Sequence, residues 1–269
     1  MPPTPQADVP AAHATETDRN FGIAIARAFD VLRCYSPATP LLGISDIARM
    51  TGLPKATVSR LTYTLEQLGY LYRLLPTGKY RLGWGVLSLG YPLLTGMPLR
   101  HLARPLMHAL AKEMGANVNL GTFDRLNVIF VESARFDETS AARPDIGVSH
   151  SLLGTVMGRT LLQSLRDGPR EALGNRLRLA DEAAWEAAQP ALAEARRDLE
   201  RQGFHVSRNA NFPGVVVVAA PMTVPDYETP LVFNCALPLA RAGDGEPERI
   251  VGPRLVGMAQ TLAIQLGYR

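Results

Sequence analysis

Cysteine is nearly absent from this chain of 269 residues: Cys34 and Cys235 are its only two, and they lie far apart. Such a pair builds neither a disulfide framework nor a zinc site, and it fits a reducing, cytoplasmic setting. The five histidines, His13, His101, His108, His150 and His205, make no H-x-x-x-H or H-E-x-x-H pair. His101 and His108 would share a helical face, but no carboxylate or thiolate stands beside them, so no metal is expected. No apolar run approaches the roughly 20 residues that a membrane helix needs. The start of the chain is rich in proline and alanine and lacks the basic and apolar stretches of a signal peptide, so residues 1–19 are expected to form a disordered tail. Enzyme signatures are missing too. There is no G-x-S-x-G elbow, no Walker loop and no G-x-G-x-x-G after a strand, so neither a catalytic residue nor a cofactor is assigned.

What is present is an uneven charge. The formal total is only +3. Residues 19–100 carry ten Lys and Arg against three acids, a balance of +7, while residues 1–18 carry −3 and the remainder −1. A length of 269 residues favours two domains. The basic third is the electrostatic footprint of a nucleic-acid-binding module.

Within it, Ile44 to Tyr70 reads as a short helix, a tight turn and a longer helix. Ser45 suits an N-cap and Asp46 the first turn. Gly52 in Thr51-Gly52-Leu53-Pro54 suits a left-handed turn, and Pro54 the start of the next helix. There Val58, Leu61, Leu65 and Leu68 repeat at helical spacing as an apolar face. The opposite face carries Ala56, Ser59, Arg60, Tyr63 and Gln67, small and hydrogen-bonding groups that fit a DNA major groove. An ordinary helical hairpin whose outer face meets water would show the same periodicity.

A first helix is expected over Ile23 to Tyr35, and Leu41-Leu42-Gly43 is short enough for a small strand. After Gly69, the runs Tyr70–Leu74 and Lys79–Gly83 flank the turn Leu75–Gly78, which makes a hairpin. Helices followed by a basic hairpin are the winged helix-turn-helix arrangement. Arg73, Lys79 and Arg81 then lie near where phosphates or a minor groove would be, and phosphate contacts position without specifying; plain solubilisation of a hairpin edge is the other role open to them. Trp84 to Leu94 is an apolar linker helix that should be covered by the second domain or a partner subunit. Four parts follow: the tail 1–19, a winged-helix domain 20–83, a linker 84–98 and a second domain 99–269.

The second domain shows helices near Leu99–Met114, Leu152–Leu165, Pro169–Leu179, Asp181–Gln202 and Glu248–Leu266. Strands are expected near Asn117–Phe123, Leu126–Val131, Phe204–Ser207, Val215–Met222 and Leu231–Leu237. Helices around a mostly antiparallel sheet of about five or six strands make an α+β fold. Gly154–Arg159 reads as a loop entering a helix, whose free N–H groups favour an anion. Thr155 could add a hydroxyl and Arg159 a charge, although Arg159 could equally face solvent. Asn234 is a lone amide on an apolar strand and needs partners, either backbone groups or a ligand. Ser207, Asn209 and Asn211 cluster before the central strand. Apolar walls with a few polar groups at a helix N-terminus suit a small organic acid.

Leu53–Leu61, Leu65–Tyr70 and Gly78–Gly83 strongly resemble the IclR family of bacterial transcription regulators. Leu102–Leu106, Met157–Leu162, Arg201–Phe204 and Ala219–Pro221 extend the resemblance, in order, over nearly the whole chain from Phe21. The resemblance implies a winged-helix domain joined by a linker helix to a GAF-like α/β effector-binding domain. It also implies homodimers or homotetramers on palindromic double-stranded operator DNA. Lys55, Ala56, Thr57, Ser59, Arg60, Tyr63, Arg73, Lys79 and Arg81 are the expected DNA-binding residues. Leu152, Gly154, Thr155, Gly158, Ser207, Asn211, Val217, Asn234 and Ala236 are the expected effector-binding residues.

Several positions depart from the family's common pattern: Leu153 replaces a histidine, Ser207 an acid, Asn234 and Ala236 serines, and Val217 a cysteine. The pocket is thus less acidic and more apolar than in sensors of glyoxylate or pyruvate. An effector larger than a two- or three-carbon acid is expected, aromatic acids included. Two other classes stay open at this point: an enzyme that transforms its ligand beside a winged-helix protein-interaction domain, and an interaction module without DNA.

Overall fold

The structure is a computed structural model that describes residues 21–136, 146–208, 214–222, 230–243 and 245–268. The expected tail and the polar candidates Asn209 and Asn211 lie outside these. The chain splits into two compact units, one ending at Gly96 and one starting at Met97.

In the first unit, α1 (Ile23–Arg33), α2 (Ile44–Thr51) and α3 (Lys55–Gln67) precede a hairpin of β1 (Leu71–Leu74) and β2 (Lys79–Leu82). The last element is α4 (Trp84–Thr95). Val31, Cys34, Ile47, Val58, Leu65, Leu71 and Tyr80 form the core. Leu42 exchanges two backbone hydrogen bonds with Tyr80, so the expected small strand is a single bridge that ties the hairpin to the start of α2.

That bridge corrects the first expected cap. The chain is still extended at Gly43, which becomes the N-cap, and Ser45 lies inside α2. The Asp46 carboxylate reaches back to accept the Gly43 N–H at 3.0 Å. At the other end Gly52 has φ +71°, the left-handed geometry that lets the chain turn sharply into α3.

The buried face of α3 is Val58, Thr62 and Leu65. Leu68 is 62% exposed, because the helix ends at Gln67 and Leu68 turns out with its C-cap. Thr62 is admitted to the core because its hydroxyl donates to Ser59 O at 3.1 Å. None of the residues of α4 is buried; Trp84 is 80% and Leu93 69% exposed. The rest of the first unit thus leaves this helix uncovered.

The second unit is a six-stranded antiparallel sheet in the order β5-β4-β3-β8-β7-β6. Its strands are β3 (Asn117–Asp124), β4 (Asn127–Ala134), β5 (Ser149–Ser151), β6 (His205–Ser207), β7 (Val215–Met222) and β8 (Leu231–Pro238). The short edge strand β5 has no signature in the sequence; it pairs with β4 through Val128 and His150.

Helices α5 (Pro98–Met114) and α9 (Gly252–Gln265) cover one face. Helices α6 (Val156–Ser164), α7 (Asp167–Ala180) and α8 (Glu182–Gln202) cover the other. Alternate residues serve the two cores: Val216 and Val218 pack toward α5 and α9, while Val217 and Ala219 pack toward α6. Cys235 is buried in the α5/α9 core and Cys34 in the first unit; burial pushes their thiols up to about 12 and about 11. Among the described residues, no helix is long and apolar enough to cross a membrane.

Ile47 is fully buried between the helices of the first unit. Ile47→Ala should lower that unit's unfolding free energy by about 2–5 kcal/mol in a denaturant titration. Leu68→Ala, at an exposed position, should change it by less than about 1 kcal/mol.

Candidate functional site

In the first unit, α3 presents Lys55, Ala56, Ser59, Arg60 and Tyr63 to solvent, with Thr57 half-buried at the edge. Tyr63 is 63% exposed, a large area for a ring that could have been packed. The wing separates its three cations. Lys79 and Arg81 alternate with Tyr80, which points into the core, so they share the outer face of the hairpin. Arg81 lies over the ring of Tyr72, 5.1 Å from its centroid, which fixes the guanidinium. Arg73 is exposed but pairs with Tyr80 and so stands on the other face. None of Lys55, Arg60, Arg73, Lys79 and Arg81 is ion-paired to a described residue, unlike Arg33 and Arg49 of the same unit. Unpaired cations on one exposed helix and its wing are free to neutralise phosphates.

The second unit gathers a polar row on the sheet face beneath α6. Register puts Ser207, Val217, Ala236 and Asn117 side by side across four strands. The next row is His205, Ala219, Asn234, Asn119 and Ser133. Ser207, Val217, Ala236 and Asn234 therefore share one face; Asn211 lies outside the described residues.

Asn234 has a side-chain partner rather than a backbone one: Asn119 Nδ2 donates to its Oδ1 at 2.8 Å. Ser133 Oγ in turn donates to Asn119 Oδ1 at 2.7 Å. Among the described residues nothing accepts from Asn234 Nδ2. Asn119 and Ser133 were not singled out in the sequence, because only strand register shows that they face Asn234.

Above this face, Thr155 caps α6. Its Oγ1 accepts the Gly158 N–H at 3.0 Å and donates to Ser151 O at 3.2 Å. The cap takes up one of the N–H groups expected to be free for an anion, and the Thr155 hydroxyl with it. Gly158 is required there, since a Cβ would sit 2.3 Å from Leu152 O. Leu152 itself is fully buried and seals the loop onto the helix. Arg159 is a second correction: it neither faces solvent nor offers an exposed charge. It is 7% exposed and donates from Nη1 to Leu153 O at 3.0 Å. Burial lowers its pKa, and the charge of Glu194 opposes that shift.

His205 is fully buried, with Nδ1 2.9 Å from Asp198 Oδ2. Burial lowers its pKa from the ordinary value and outweighs the Asp198 carboxylate. Among the described residues no group of three His, Cys, Asp or Glu side chains comes together as a metal site would require.

Two family models match this chain. The IclR helix-turn-helix domain matches residues 24–74, and the bacterial transcriptional regulator IclR C-terminal domain matches residues 92–237. The chain belongs to the IclR family of transcriptional regulators. It is 33% identical to the HTH-type transcriptional regulator TsaQ1/TsaQ2 of Comamonas testosteroni, over 90% of this chain and 88% of that one. An IclR-family transcriptional regulator from Brucella abortus superposes with a TM-score of 0.83 at 36% identity, over 94% of this chain and 96% of that one. An IclR homologue from Microbacterium hydrocarbonoxydans, in complex with 4-hydroxybenzoate, has the same fold, with a TM-score of 0.68 at 22% identity over 91% and 99% of the two chains. The IclR fold is thus shared with regulators that bind DNA through the helix-turn-helix.

The lowered pKa of His205 has a consequence for stability. The folded protein favours neutral imidazole, so the unfolded chain takes up the proton first as pH falls. Stability from this group is present above the unfolded pKa of about 6.5 and is lost as pH drops through the folded pKa. His150, whose pKa burial also lowers, acts in the same sense. The melting temperature should fall between about pH 7.5 and about pH 5, and the fall should be shallower in His205→Gln.

Proposed function

We propose that this IclR-family regulator is a cytoplasmic, non-catalytic switch. It binds a palindromic operator as a homodimer or homotetramer and answers to a small organic acid. The observation that carries the DNA-binding part is the exposed face of α3, where Ser59, Arg60 and Tyr63 stand beside cations that have no acidic partner among the described residues. Ser59, Arg60 and Tyr63 read base edges in the major groove, and Ala56 allows close approach. Lys55, Thr57, Lys79 and Arg81 hold phosphates, with Arg73 serving the backbone from the other face of the wing. Self-association is supported by α4, whose Trp84, Leu87, Leu89, Tyr91 and Leu93 are each more than half exposed. A second copy would cover such a face.

The effector binds on the sheet face beneath α6, between Leu152, Gly154, Thr155 and Gly158 above and Ser207, Val217, Asn234 and Ala236 below, with Asn211 as a further contact. The amide nitrogen of Asn234, which has no acceptor among the described residues, donates to an acceptor oxygen of the ligand. Apolar walls and the absence of a carboxylate at Ser207 favour an acid larger than glyoxylate or pyruvate. The Microbacterium homologue's complex with 4-hydroxybenzoate supports an aromatic acid as the first class to try.

Two measurements test this. Arg60→Ala should weaken operator binding by about 1–3 kcal/mol and random-DNA binding by much less; equal loss on both would make Arg60 a phosphate contact. In a thermal-shift series, 4-hydroxybenzoate or a related aromatic acid at about 100 times its Kd should add about 2.7 kcal/mol, a rise of several degrees. Stabilisation by glyoxylate and pyruvate alone would contradict the effector class.

A further inference from the structure

We infer that Asn119, Ser133 and Glu132 are positioning residues that couple the effector face of the sheet to the first turns of α5. This inference rests on reading the Asn234 face as the effector site. Its starting point is a register shift between β3 and β4 at Leu120/Gly121. Phe130 pairs with Gly121 and Glu132 with Leu120, which leaves Val131 as an extra residue in β4. A bulge of this kind breaks strict alternation and re-aims the side chains that follow.

The consequence is that Glu132 turns to the α5 face, next to Leu120, while Ser133 turns to the effector face, next to Asn119. The two neighbours remain linked: the Ser133 N–H donates to Glu132 Oε1 at 3.1 Å. On the far side, Glu132 Oε2 lies 2.8 Å from Arg100 Nε and 3.2 Å from Arg104 Nη2. The Arg100 Nε–H points to Val131 O at 3.1 Å, the carbonyl of the bulged residue, so its contact with Glu132 is one of charge. Glu132 is 2% exposed, and a carboxylate so far from water is held there by the opposite charge of the two guanidinium groups.

A continuous polar path thus runs from Asn234 through Asn119, Ser133 and Glu132 to Arg100 and Arg104. It crosses from one face of the sheet to the other at the bulge, where an ordinary strand would separate two apolar cores. Its far end is the first helix of the second unit, which begins at Pro98, shortly after α4 ends at Thr95 in the chain. A ligand that engages Asn234 competes for, or tightens, the amide pair with Asn119. Asn119, Ser133, Glu132 and Arg100 are buried or half-buried and each has a defined partner, so the position of each depends on the one before, while Arg104 closes the path from an exposed position.

The test is hydrogen–deuterium exchange on the full chain without any ligand, so a failure of the effector assignment leaves its outcome readable. Ser133→Ala removes one hydroxyl and its bond to Asn119. The amides of Asn119 and Asn234, and those of Leu102, Ala103 and Arg104 in α5, should exchange about three- to tenfold faster, the range expected for one lost buried hydrogen bond. Amides 258–262 of α9, which pack on the same face as α5, should keep their rates. Ser133→Thr, which retains the hydroxyl, should restore the α5 rates. Glu132→Gln should reproduce the pattern from the other end. Acceleration confined to β3 and β4, or spread equally over α5 and α9, overturns the coupling.

Discussion

The pairing of β3 with β8, with Asn119 opposite Asn234, is the constraint from which the second unit takes its order. Side chains alternate across a sheet, so one register decides which residues face α6 and which face α5 and α9. A slip by a single residue would carry Asn234 into the Phe233 and Cys235 core and expose Val118 and Leu120 to the polar row. The 2.8 Å amide pair opposes such a slip, since an unpartnered buried amide costs about 1–3 kcal/mol. From this pair the rows extend outward to Ser133 on one side and to Ala219 and His205 on the other. The same geometry lines up Ser207, Val217 and Ala236, residues that come from three separate strands.

The first unit obeys a different constraint. Its small core uses its apolar residues to hold α2, α3 and the hairpin together, with Tyr80 the pivot, buried and bridged to Leu42. Alternation on β2 then forces Lys79 and Arg81 outward. Helical periodicity does the same for Ser59, Arg60 and Tyr63 on α3. The cations are therefore exposed as a consequence of how the core is built. With no acidic partner among the described residues, their charge is available for DNA.

Much of this was legible in the sequence where a period longer than a turn carried the signal. The helices of both units, the hairpin and the double-sided strand β7 all follow from spacing, and Gly52 from its turn. Local competition hid the rest. Ser45 is a good cap in isolation, but the Leu42–Tyr80 bridge starts the helix earlier. Leu68 continues the apolar spacing of α3 only on paper, because the helix stops before it. The three-residue strand β5 is too short to show a period. Asn119 and Ser133 are ordinary polar strand residues until long-range pairing sets them against Asn234. Arg159 reads as a surface charge because nothing local says that Leu153 O will receive it in the interior.

In the proposed function, the two units divide the work of regulation: a basic helix and wing supply the address on DNA, and the polar row beneath α6 supplies the condition. DNase footprinting of the DNA flanking the gene, with and without a panel of aromatic and aliphatic acids, tests that division most directly. The predicted result is protection of two symmetry-related tracts about one helical turn or a multiple of it apart, altered by at least one acid of the panel. Protection that follows no sequence, or a specific footprint that no acid in the panel changes, would contradict it.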